Sequence, residues 1–299
     1  MSAQVVTLNQ DAIGKKLGQR LYNSKGGVLL RTGTEIKEFH FSHIQQVGYK
    51  SIYIVDELDA GMDLNGHIIS EKTRATTPIE LKKIYQKLTS PSKITISDGK
   101  KDLNELADSL IRQVNHRLES PPDILDLKRQ EDYLYQHAIN VTAYSILIGQ
   151  SLQYHQMKLF DLALSALLHD FGMQFIDQEI LNKPGELDES EYEEVKKHTD
   201  LGFQHLSRKC FMKGIVSAVA LQHHERYDGS GYPKGMSGDD VHEYSRIIAV
   251  CDFYDAYTSD RPHRQLHSIE EAVGYLMAQS GVEFDANVVK NFMKYFNQE

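Results

Sequence analysis

Residues 223–233 read HHERYDGSGYP and give the strongest indication of both fold and site in this chain. Two adjacent histidines lead into a turn that is rich in glycine and ends in proline. Imidazoles are costly to bury side by side unless each finds a partner, and a metal cation is such a partner. A second pair, His169-Asp170, closes an apolar run earlier in the chain. Together the two pairs predict a metal site with a ligand-binding loop beside it.

Seven residues of the types that bind metals through nitrogen or oxygen recur at even spacing. Successive candidates at positions 137, 169, 198, 223 and 252 are separated by 32, 29, 25 and 29 residues. Each interval is about the length of one helix and a connection, so we expect several helices to bring one or two ligands each to a common point. The candidate ligands are His137, His169, Asp170, His198, His223, His224 and Asp252.

Local patterns predict helices around these residues. Apolar runs lead to or flank the candidates over residues 162–168, 215–220 and 247–251. Asp188 followed by Glu191 is a capping box, which predicts the start of the helix that carries His198. A lone histidine in an apolar stretch is more often a hydrogen-bonded core residue than a ligand. Two adjacent pairs with three further candidates favour the metal site instead.

Seven ligands are too many for one tetrahedral ion and suit two ions that share a carboxylate. Asp170 is the natural bridge because it adjoins His169, and we assign catalysis to these two residues. Two ions about 3.5–4 Å apart are the usual device for in-line displacement at phosphorus. The nitrogen and oxygen ligands suit iron, manganese or zinc, and of these we favour iron or manganese.

These residues resemble the HD-GYP family, a branch of the HD-domain phosphohydrolases, over about residues 130–299. The resemblance implies an all-α domain that hydrolyses cyclic di-GMP, a bacterial second messenger, to pGpG, GMP or both, by attack of a metal-bridging hydroxide. It also implies that the seven candidates are the metal ligands. The matching segments are HDFG at 169–172, ILNKPG at 180–185, HHERYDGSGYP at 223–233, RIIAVCD at 246–252 and RPHR at 261–264.

The same resemblance implies a set of residues that hold the phosphates and bases of the ligand. Arginine pairs match phosphate oxygens, a glycine-rich turn lets backbone approach a nucleotide, and tyrosine can stack on guanine. The substrate-binding candidates are Lys183, Gly231, Tyr232, Pro233, Arg261 and Arg264. Asp255 follows Asp252 on the same helical face, and we expect it either to orient a ligand histidine or to act as an ordinary buried hydrogen-bond partner.

Two positions depart from the family pattern. The family usually has lysine four residues after the histidine of its His-Asp pair, where this chain has Met173. Losing one donor to the transition state commonly costs about 10²–10³ in rate, so Met173 predicts weaker or altered catalysis. Members with three metals have a glutamate where this chain has Tyr133, which favours two metals.

The predicted fold class is mainly α, with a C-terminal HD-GYP helical bundle and a small N-terminal α+β module. A helix over 38–47 and a strand over 51–55 are predicted in that module, and Thr73–Pro78 is interpreted as a linker. An apolar stripe over 103–118 predicts a connecting helix. The domains are a regulatory or dimer-forming module at 1–75, a linker and connecting helix at 76–129, and the metal-dependent domain at 130–299.

Composition excludes several classes of function. A net charge of −9 opposes binding of a nucleic-acid polymer, which needs a basic surface. Two cysteines give no disulfide framework, and we find neither a signal pattern nor a run of about 18 apolar residues. We therefore expect a bacterial cytoplasmic protein without a membrane partner, and we leave open a homodimer and a signalling protein partner.

Two alternatives to a cyclic di-GMP phosphodiesterase stay open. Met173 is compatible with a receptor that holds metals and cyclic di-GMP but turns over slowly or not at all. It is also compatible with a phosphohydrolase of another cyclic dinucleotide. Product formation separates the enzyme from the receptor, and a substrate panel separates the two enzymes.

Overall fold

The structure is a computed structural model that describes most of the chain. It covers residues 4–9, 12–18, 20–23, 27–47, 49, 51–55, 68–115, 133–183, 185–259 and 268–295. The chain divides into two compact units, each formed by two stretches. The first comprises Met1–Lys82 and Pro122–Gln136, and the second comprises Lys83–Pro121 and His137–Glu299.

The first unit begins with short strands and one helix. These elements are β1 (Gln4–Thr7), β2 (Lys16–Leu17), β3 (Leu21–Tyr22), β4 (Val28–Leu30), α1 (Glu38–Gln46) and β5 (Ser51–Val55). Strand β5 pairs antiparallel with both β1 and β2, with Val6 opposite Ile52, while β3 and β4 form a separate pair. The predicted helix at 38–47 and the predicted strand at 51–55 are confirmed.

A small apolar core holds these elements together. Ile52 and Ile54 are two residues apart on β5, so they face the same side of the sheet, where both are buried. The Tyr49 hydroxyl accepts a hydrogen bond from the backbone N–H of Tyr22 and donates one to its carbonyl, each at 3.1 Å. The core consists of Leu8, Ala12, Leu17, Leu21, Ile36, Ile44, Tyr49, Ile52 and Ile54.

Helix α2 (Glu71–Leu88) contains the segment that the sequence suggested as a linker. Thr73–Pro78 is helical and lies near the start of this helix. Pro78 removes one backbone donor and normally disfavours a helix interior. Burial of the apolar face outweighs this local preference, because most helix stability in proteins comes from packing. The buried residues that follow at helical spacing are Leu81, Ile84, Tyr85 and Leu88.

The rest of the described chain is helical, so the mainly α prediction is confirmed. Two 3₁₀ helices, Phe171–Phe175 and Gly238–Asp240, interrupt the α-helices. The α-helices are α3 (Lys93–Asn115), α4 (Tyr133–Ser151), α5 (Gln156–Leu168), α6 (Gln178–Leu181), α7 (Glu189–Lys196), α8 (His198–Arg208), α9 (Gly214–Gln222), α10 (Glu243–Thr258), α11 (Ile269–Ala278) and α12 (Ala286–Met293).

Helix α5 forms the centre of the second unit. Every residue from Leu162 to Leu168 is buried, and the helix contacts α3, α9 and α10. The apolar stripe of α3 is buried as predicted over its described part, at Leu103, Leu106, Leu110 and Val114. Because α5 is apolar and enclosed, it provides a rigid support for the polar residues at its end.

None of the helices in the described ranges combines the length and the apolar composition that crossing a membrane requires.

Candidate metal centre

Helix α5 ends directly at the first pair of predicted ligands. His169 is the C-cap residue of α5 and Asp170 precedes the 3₁₀ helix Phe171–Phe175; both side chains are buried. Tyr85 fixes this end of the helix, since its hydroxyl donates a 2.7 Å hydrogen bond to the carbonyl of Leu167. The Tyr85 ring also packs edge-on against Phe171, with centroids 4.8 Å apart.

The other predicted ligands come from four further helices or helix ends. His137 lies on α4, His198 is the first residue of α8, and Asp252 lies on α10. His223 is the C-cap residue of α9 and His224 follows it. The structure brings all seven predicted ligands together in two groups. Within each group, the donor atoms lie within 4.8 Å of one another. One group is Asp170, His198, His223 and His224, and the other is His137, His169 and Asp252.

The Asp170 carboxylate lies between the two groups. Its Oδ1 is 3.3 Å from Nε2 of His198 and 3.4 Å from Nε2 of His223. Its Oδ2 is 3.5 Å from Nε2 of His169 and 3.8 Å from Nε2 of His137. Each oxygen therefore faces a different group of histidines.

Backbone carbonyls fix the orientation of three of the histidines. Nδ1 of His169 donates to the carbonyl of Ala166 at 2.8 Å, and Nδ1 of His198 donates to that of Val195 at 2.7 Å. Nδ1 of His223 donates to the carbonyls of Val219 and Ala220. A carbonyl can only accept, so Nδ1 carries the proton and Nε2 presents a lone pair. This is the arrangement that metal-binding histidines adopt.

His137 is held by carboxylates instead. Its Nδ1 donates to Asp255 at 2.7 Å, and its Nε2 is 3.0 Å from Asp252. The other oxygen of Asp255 accepts a hydrogen bond from Asn140 at 2.8 Å. Asn140 lies three residues after His137 on α4, so one helix supplies both donors. Asp255 thus lies where it can orient His137, as expected for one of its two predicted roles.

Burial keeps most of the cluster in the form that binds metal. It lowers the pKa of His169 to about 4, with Asp170 opposing the shift. It likewise lowers the pKa of His198 and, together with His223, that of His224. Burial would raise the pKa of Asp170, but the surrounding histidines, His169 foremost, hold that pKa well below its usual range. At neutral pH these groups are therefore neutral imidazoles around an ionised carboxylate.

His137 differs from the other histidines. Burial lowers its pKa, but the contacts with Asp252 and Asp255 outweigh burial and raise the pKa to about 9. Binding of a divalent ion at this imidazole would therefore displace a proton.

A divalent cation fits this set of donors. Nε2 of His169 and Oδ1 of Asp170 are buried and find no hydrogen-bond partner among the described residues. Nε2 of His198 and Nε2 of His223 lie 3.3 Å apart, and with both protons on Nδ1 two lone pairs face each other. A cation between them would remove this repulsion, and imidazole and carboxylate are suitable ligands for iron, manganese and zinc.

Two glycine positions allow close approaches at this centre. A Cβ at Gly172 would lie 1.8 Å from the carbonyl oxygen of His198, so the 3₁₀ helix and α8 can meet only through glycine. A Cβ at Gly231 would lie 2.3 Å from the backbone nitrogen of Arg226. Loop 223–233 therefore folds back on itself next to His224.

Glu225 fixes this loop, and sequence reasoning missed it. Its carboxylate, only 3% exposed as a residue, accepts hydrogen bonds from the backbone N–H groups of Lys234 at 2.8 Å and Met236 at 3.0 Å. The Tyr232 ring stacks on His224, with centroids 4.7 Å apart and an angle of 27° between the planes. The available signal was an acidic residue immediately after two predicted ligands.

The predicted capping box is confirmed, but it caps a different helix. Asp188 and Glu191 cap α7, which ends at Lys196, and His198 begins the separate helix α8. Glu191 also forms an ion pair with Lys183, whose Nζ donates a hydrogen bond to the Glu191 carboxylate at 2.5 Å. Lys183 is thus joined to the start of α7.

The remaining predicted site residues have different outcomes. Gly231, Tyr232 and Pro233 lie in the loop beside His224. Arg261 and Arg264 lie outside the described residues. Met173 is half-buried in the 3₁₀ helix that follows Asp170.

Comparison with known proteins places this site in a family. A family model described as an HD domain matches residues 119–288, more than half of the chain. A cyclic di-GMP phosphodiesterase of Pseudomonas aeruginosa is 34% identical over 192 residues, which are 64% of this chain and 45% of that protein. A 3'3'-cGAMP-specific phosphodiesterase of Vibrio cholerae is 35% identical over 153 residues, which are 51% of this chain and 33% of that protein. The chain thus spans less than half the length of either relative.

A solved structure supports the fold. It is Bd1817, a HDG"Y"P protein from Bdellovibrio bacteriovorus, with a TM-score of 0.60 and 16% sequence identity. The match covers 99% of this chain and 100% of that protein. The family match and the cluster of histidines and aspartates together indicate a site for divalent metal.

Proposed function

Because this chain belongs to the HD-domain family, in its HD-GYP branch, we propose that it is a metal-dependent phosphodiesterase that hydrolyses cyclic di-GMP. The products are pGpG, GMP or both. The observation that carries the proposal is the position of Asp170, with one carboxylate oxygen toward each of two groups of histidines. This is the arrangement expected of a carboxylate shared by two ions.

The proposed cofactor is a pair of divalent ions, with iron or manganese favoured over zinc. One ion would be held by His198, His223 and His224, the other by His137, His169 and Asp252, with Asp170 shared. Two such ions would neutralise charge on the phosphodiester and lower the pKa of a bound water. Two carboxylates against two divalent cations leave the site positive, which suits an anionic substrate.

The chain's own residues have distinct tasks in this reaction. In hydrolysis a water adds to phosphorus, the bond from phosphorus to the 3′ oxygen breaks, and the 3′ oxygen takes up a proton. The carbonyls that accept from Nδ1 of His169, His198 and His223 keep these rings in position. Asp255 does the same for His137. Five of the seven ligands are buried, and His224 and Asp252 are partly exposed, so charges at the buried ligands act in a medium of low dielectric constant.

Loop 223–233 is proposed to receive the nucleotide. The Tyr232 ring stacks on His224, and the backbone N–H of Tyr232 donates to the carbonyl of His224 at 3.2 Å. The ring is therefore held next to the metal cluster, where it can contact a guanine base. Gly231 and Pro233 complete the loop, while Lys183, Arg261 and Arg264 remain proposed phosphate or base contacts by family resemblance.

The parts of the chain outside the metal centre are assigned more coarsely. We propose that residues 1–75 are a regulatory or dimer-forming module, 76–129 a linker and connecting helix, and 130–299 the hydrolytic domain. A homodimer, a signalling protein partner and a cytoplasmic location fit a second-messenger enzyme.

The first test is elemental analysis of anaerobically purified protein, followed directly by a cyclic di-GMP hydrolysis assay resolved by chromatography. We expect two divalent ions per chain and formation of pGpG or GMP. Asp170→Ala and His169→Ala should each lose metal and activity together. Asp161→Ala is the matched control, because Asp161 lies on the same helix but pairs with Lys213 at 2.6 Å.

Other outcomes would contradict the proposal in distinguishable ways. Metal-loaded protein that binds cyclic di-GMP without forming product would be a receptor, which Met173 makes a real alternative. Hydrolysis of 3'3'-cGAMP in preference to cyclic di-GMP would identify a phosphodiesterase of another cyclic dinucleotide. Retained metal and activity in Asp170→Ala would overturn the site assignment.

A further inference from the structure

Lys196, the last residue of α7, brings a positive charge to the loop beside the metal centre. Its Nζ lies 5.4 Å from the centroid of the Tyr232 ring and 4.7 Å from that of Tyr192. Tyr192 and Lys196 are four residues apart on α7 and so share one face of the helix. The ammonium therefore contacts the same tyrosine that stacks on His224.

The contacts of Lys196 allow it to take up a second anion. Its side chain is 27% exposed and pairs with Glu193, which is 60% exposed, at 2.6 Å. An exposed ion pair of this kind contributes little to the stability of the fold, so exchanging the contact with Glu193 for one with a ligand costs little stability. The ammonium has three donors and can serve Glu193 and a phosphate oxygen together.

Two other described cations of this region also pair with carboxylates, as Lys196 does. Lys183 pairs with Glu191 at 2.5 Å. Arg226 pairs with Glu283 at 3.5 Å and lies over the Phe284 ring. Among these three described cations, Lys196 is the one whose charge lies over the Tyr232 ring.

Cyclic di-GMP has two phosphodiester groups, and hydrolysis attacks one of them at a time. While one phosphodiester lies at the metal cluster, the other phosphodiester lies outside the cluster and needs a separate cationic partner. We propose that Lys196 binds this second phosphodiester group, the one that is not being hydrolysed. This inference rests on the proposed function and deepens it, because it makes the site select for a substrate with two anionic groups.

The test compares Lys196→Gln with Lys197→Gln in the metal-loaded, full-length protein. Lys197 is the matched control, since it is the next residue and its side chain is 59% exposed and paired with Glu194. We expect Lys196→Gln to raise KM for cyclic di-GMP roughly tenfold to a hundredfold, as for loss of a charge-assisted hydrogen bond. kcat and metal content should change little, Lys196→Arg should restore most of the affinity, and Lys197→Gln should resemble the wild type.

A second substrate separates binding of the second phosphate from damage to the fold. Bis(4-nitrophenyl) phosphate is a phosphodiester with a single anionic group, so its KM should be the same in Lys196→Gln and in the wild type. Equal effects on both substrates, or an unchanged KM for cyclic di-GMP in Lys196→Gln, would overturn the inference.

Failure of the proposed function would look different. If the wild type binds cyclic di-GMP without cutting it, the same variants are compared by dissociation constant, and the same shift is expected. If it acts on 3'3'-cGAMP instead, the comparison is made with that ligand, which also carries two phosphodiester groups. If neither dinucleotide is bound or cut while bis(4-nitrophenyl) phosphate is hydrolysed, both the proposed substrate class and the role of Lys196 are wrong.

Discussion

Asp255 accepts a hydrogen bond from Nδ1 of His137 at 2.7 Å, and both side chains are buried. The other oxygen of Asp255 accepts from Asn140 at 2.8 Å. The carboxylate thus faces two donors, one on each oxygen, and holds the imidazole with Nε2 toward Asp252. This second layer of contacts supports one half of the proposed metal centre.

Asp255→Asn should weaken metal binding on the His137 side of the cluster. An amide has one acceptor oxygen, so its NH₂ group would face one of the two donors that the carboxylate satisfies. Loss of such a supporting contact typically costs about 10–100-fold in metal affinity or activity. Calorimetric titration of metal into the metal-free variant measures the effect. Asp200→Asn, an exposed aspartate on α8, is the control, and equal affinities in the two variants would contradict the role of Asp255.

Gly172→Ala should disrupt the metal centre through the backbone. The new Cβ would lie 1.8 Å from the carbonyl oxygen of His198 and 2.8 Å from the nitrogen of Gly202, both in α8. Backbone atoms cannot rotate away as side chains do, so α8 must shift. Overpacking of this kind costs about 1–3 kcal/mol or more. Thermal unfolding should show a lower Tm, and elemental analysis should show less metal per chain.

Gly274→Ala provides the control for that experiment. Gly274 lies inside α11, and a Cβ there would meet no atom within 4 Å. Replacing glycine by alanine in a helix interior stabilises by roughly 0.5–1 kcal/mol. The two substitutions should therefore move Tm in opposite directions. An unchanged Tm in Gly172→Ala would show that Gly172 does not approach α8 closely.

The spacing of the candidate ligands along the chain could predict that they lie close together, because each interval matches the length of a helix and its connection. His169 and His223 each lie at the end of a helix, where the chain leaves the core with its last side chain still buried. Apolar runs mark those ends in the sequence. The helices, and the positions at which they would meet, could thus be inferred from local pattern alone.

The details that depend on packing could not be predicted in this way. That the two oxygens of Asp170 face different histidine groups depends on how α5 packs against α9 and how the 3₁₀ helix Phe171–Phe175 packs against α8. The break between α7 and α8 at Lys197 has no strong signal, since lysine is compatible with a helix. The helical state of Thr73–Pro78 has no local signal either, since composition there favours a linker and the buried residues that stabilise the helix come later in α2.

Met173→Lys should raise the rate of hydrolysis if a missing cation limits it. Met173 directly follows Gly172 and is half-buried in the 3₁₀ helix Phe171–Phe175. Its backbone N–H donates to the carbonyl of Asp170 at 2.9 Å. A lysine here would start one turn from the shared carboxylate. One additional donor to the transition state can be worth about 10²-fold in kcat.

Single-turnover rates of Met173→Lys and Gln178→Lys provide the comparison. Gln178 is exposed on α6, so lysine there changes the net charge by the same amount away from the cluster. A rate increase in Met173→Lys alone supports a missing cation. Equal rates in both variants would mean that other cations, such as Lys183, Arg261 or Arg264, already supply the charge.

Glu225→Gln should loosen the substrate loop without removing metal. The carboxylate of Glu225 accepts from the backbone N–H of Lys234 on one oxygen and from that of Met236 on the other. Glutamine can accept on one side, so the second N–H would face an NH₂ group in a place that is 3% exposed. An unsatisfied buried donor costs about 1–3 kcal/mol, which the loop can avoid by opening.

The expected result is a higher KM for cyclic di-GMP, by roughly tenfold, with unchanged metal content. His223 and His224 precede the substitution and keep their own contacts, since Nδ1 of His223 still donates to the carbonyl of Ala220. Tyr232 would lose its fixed position over His224, and the affinity for the nucleotide would fall with it. Glu270→Gln, at an exposed position on α11, should leave KM unchanged. If Glu225→Gln lost metal in proportion to its activity, Glu225 would support the ligand histidines and not the loop.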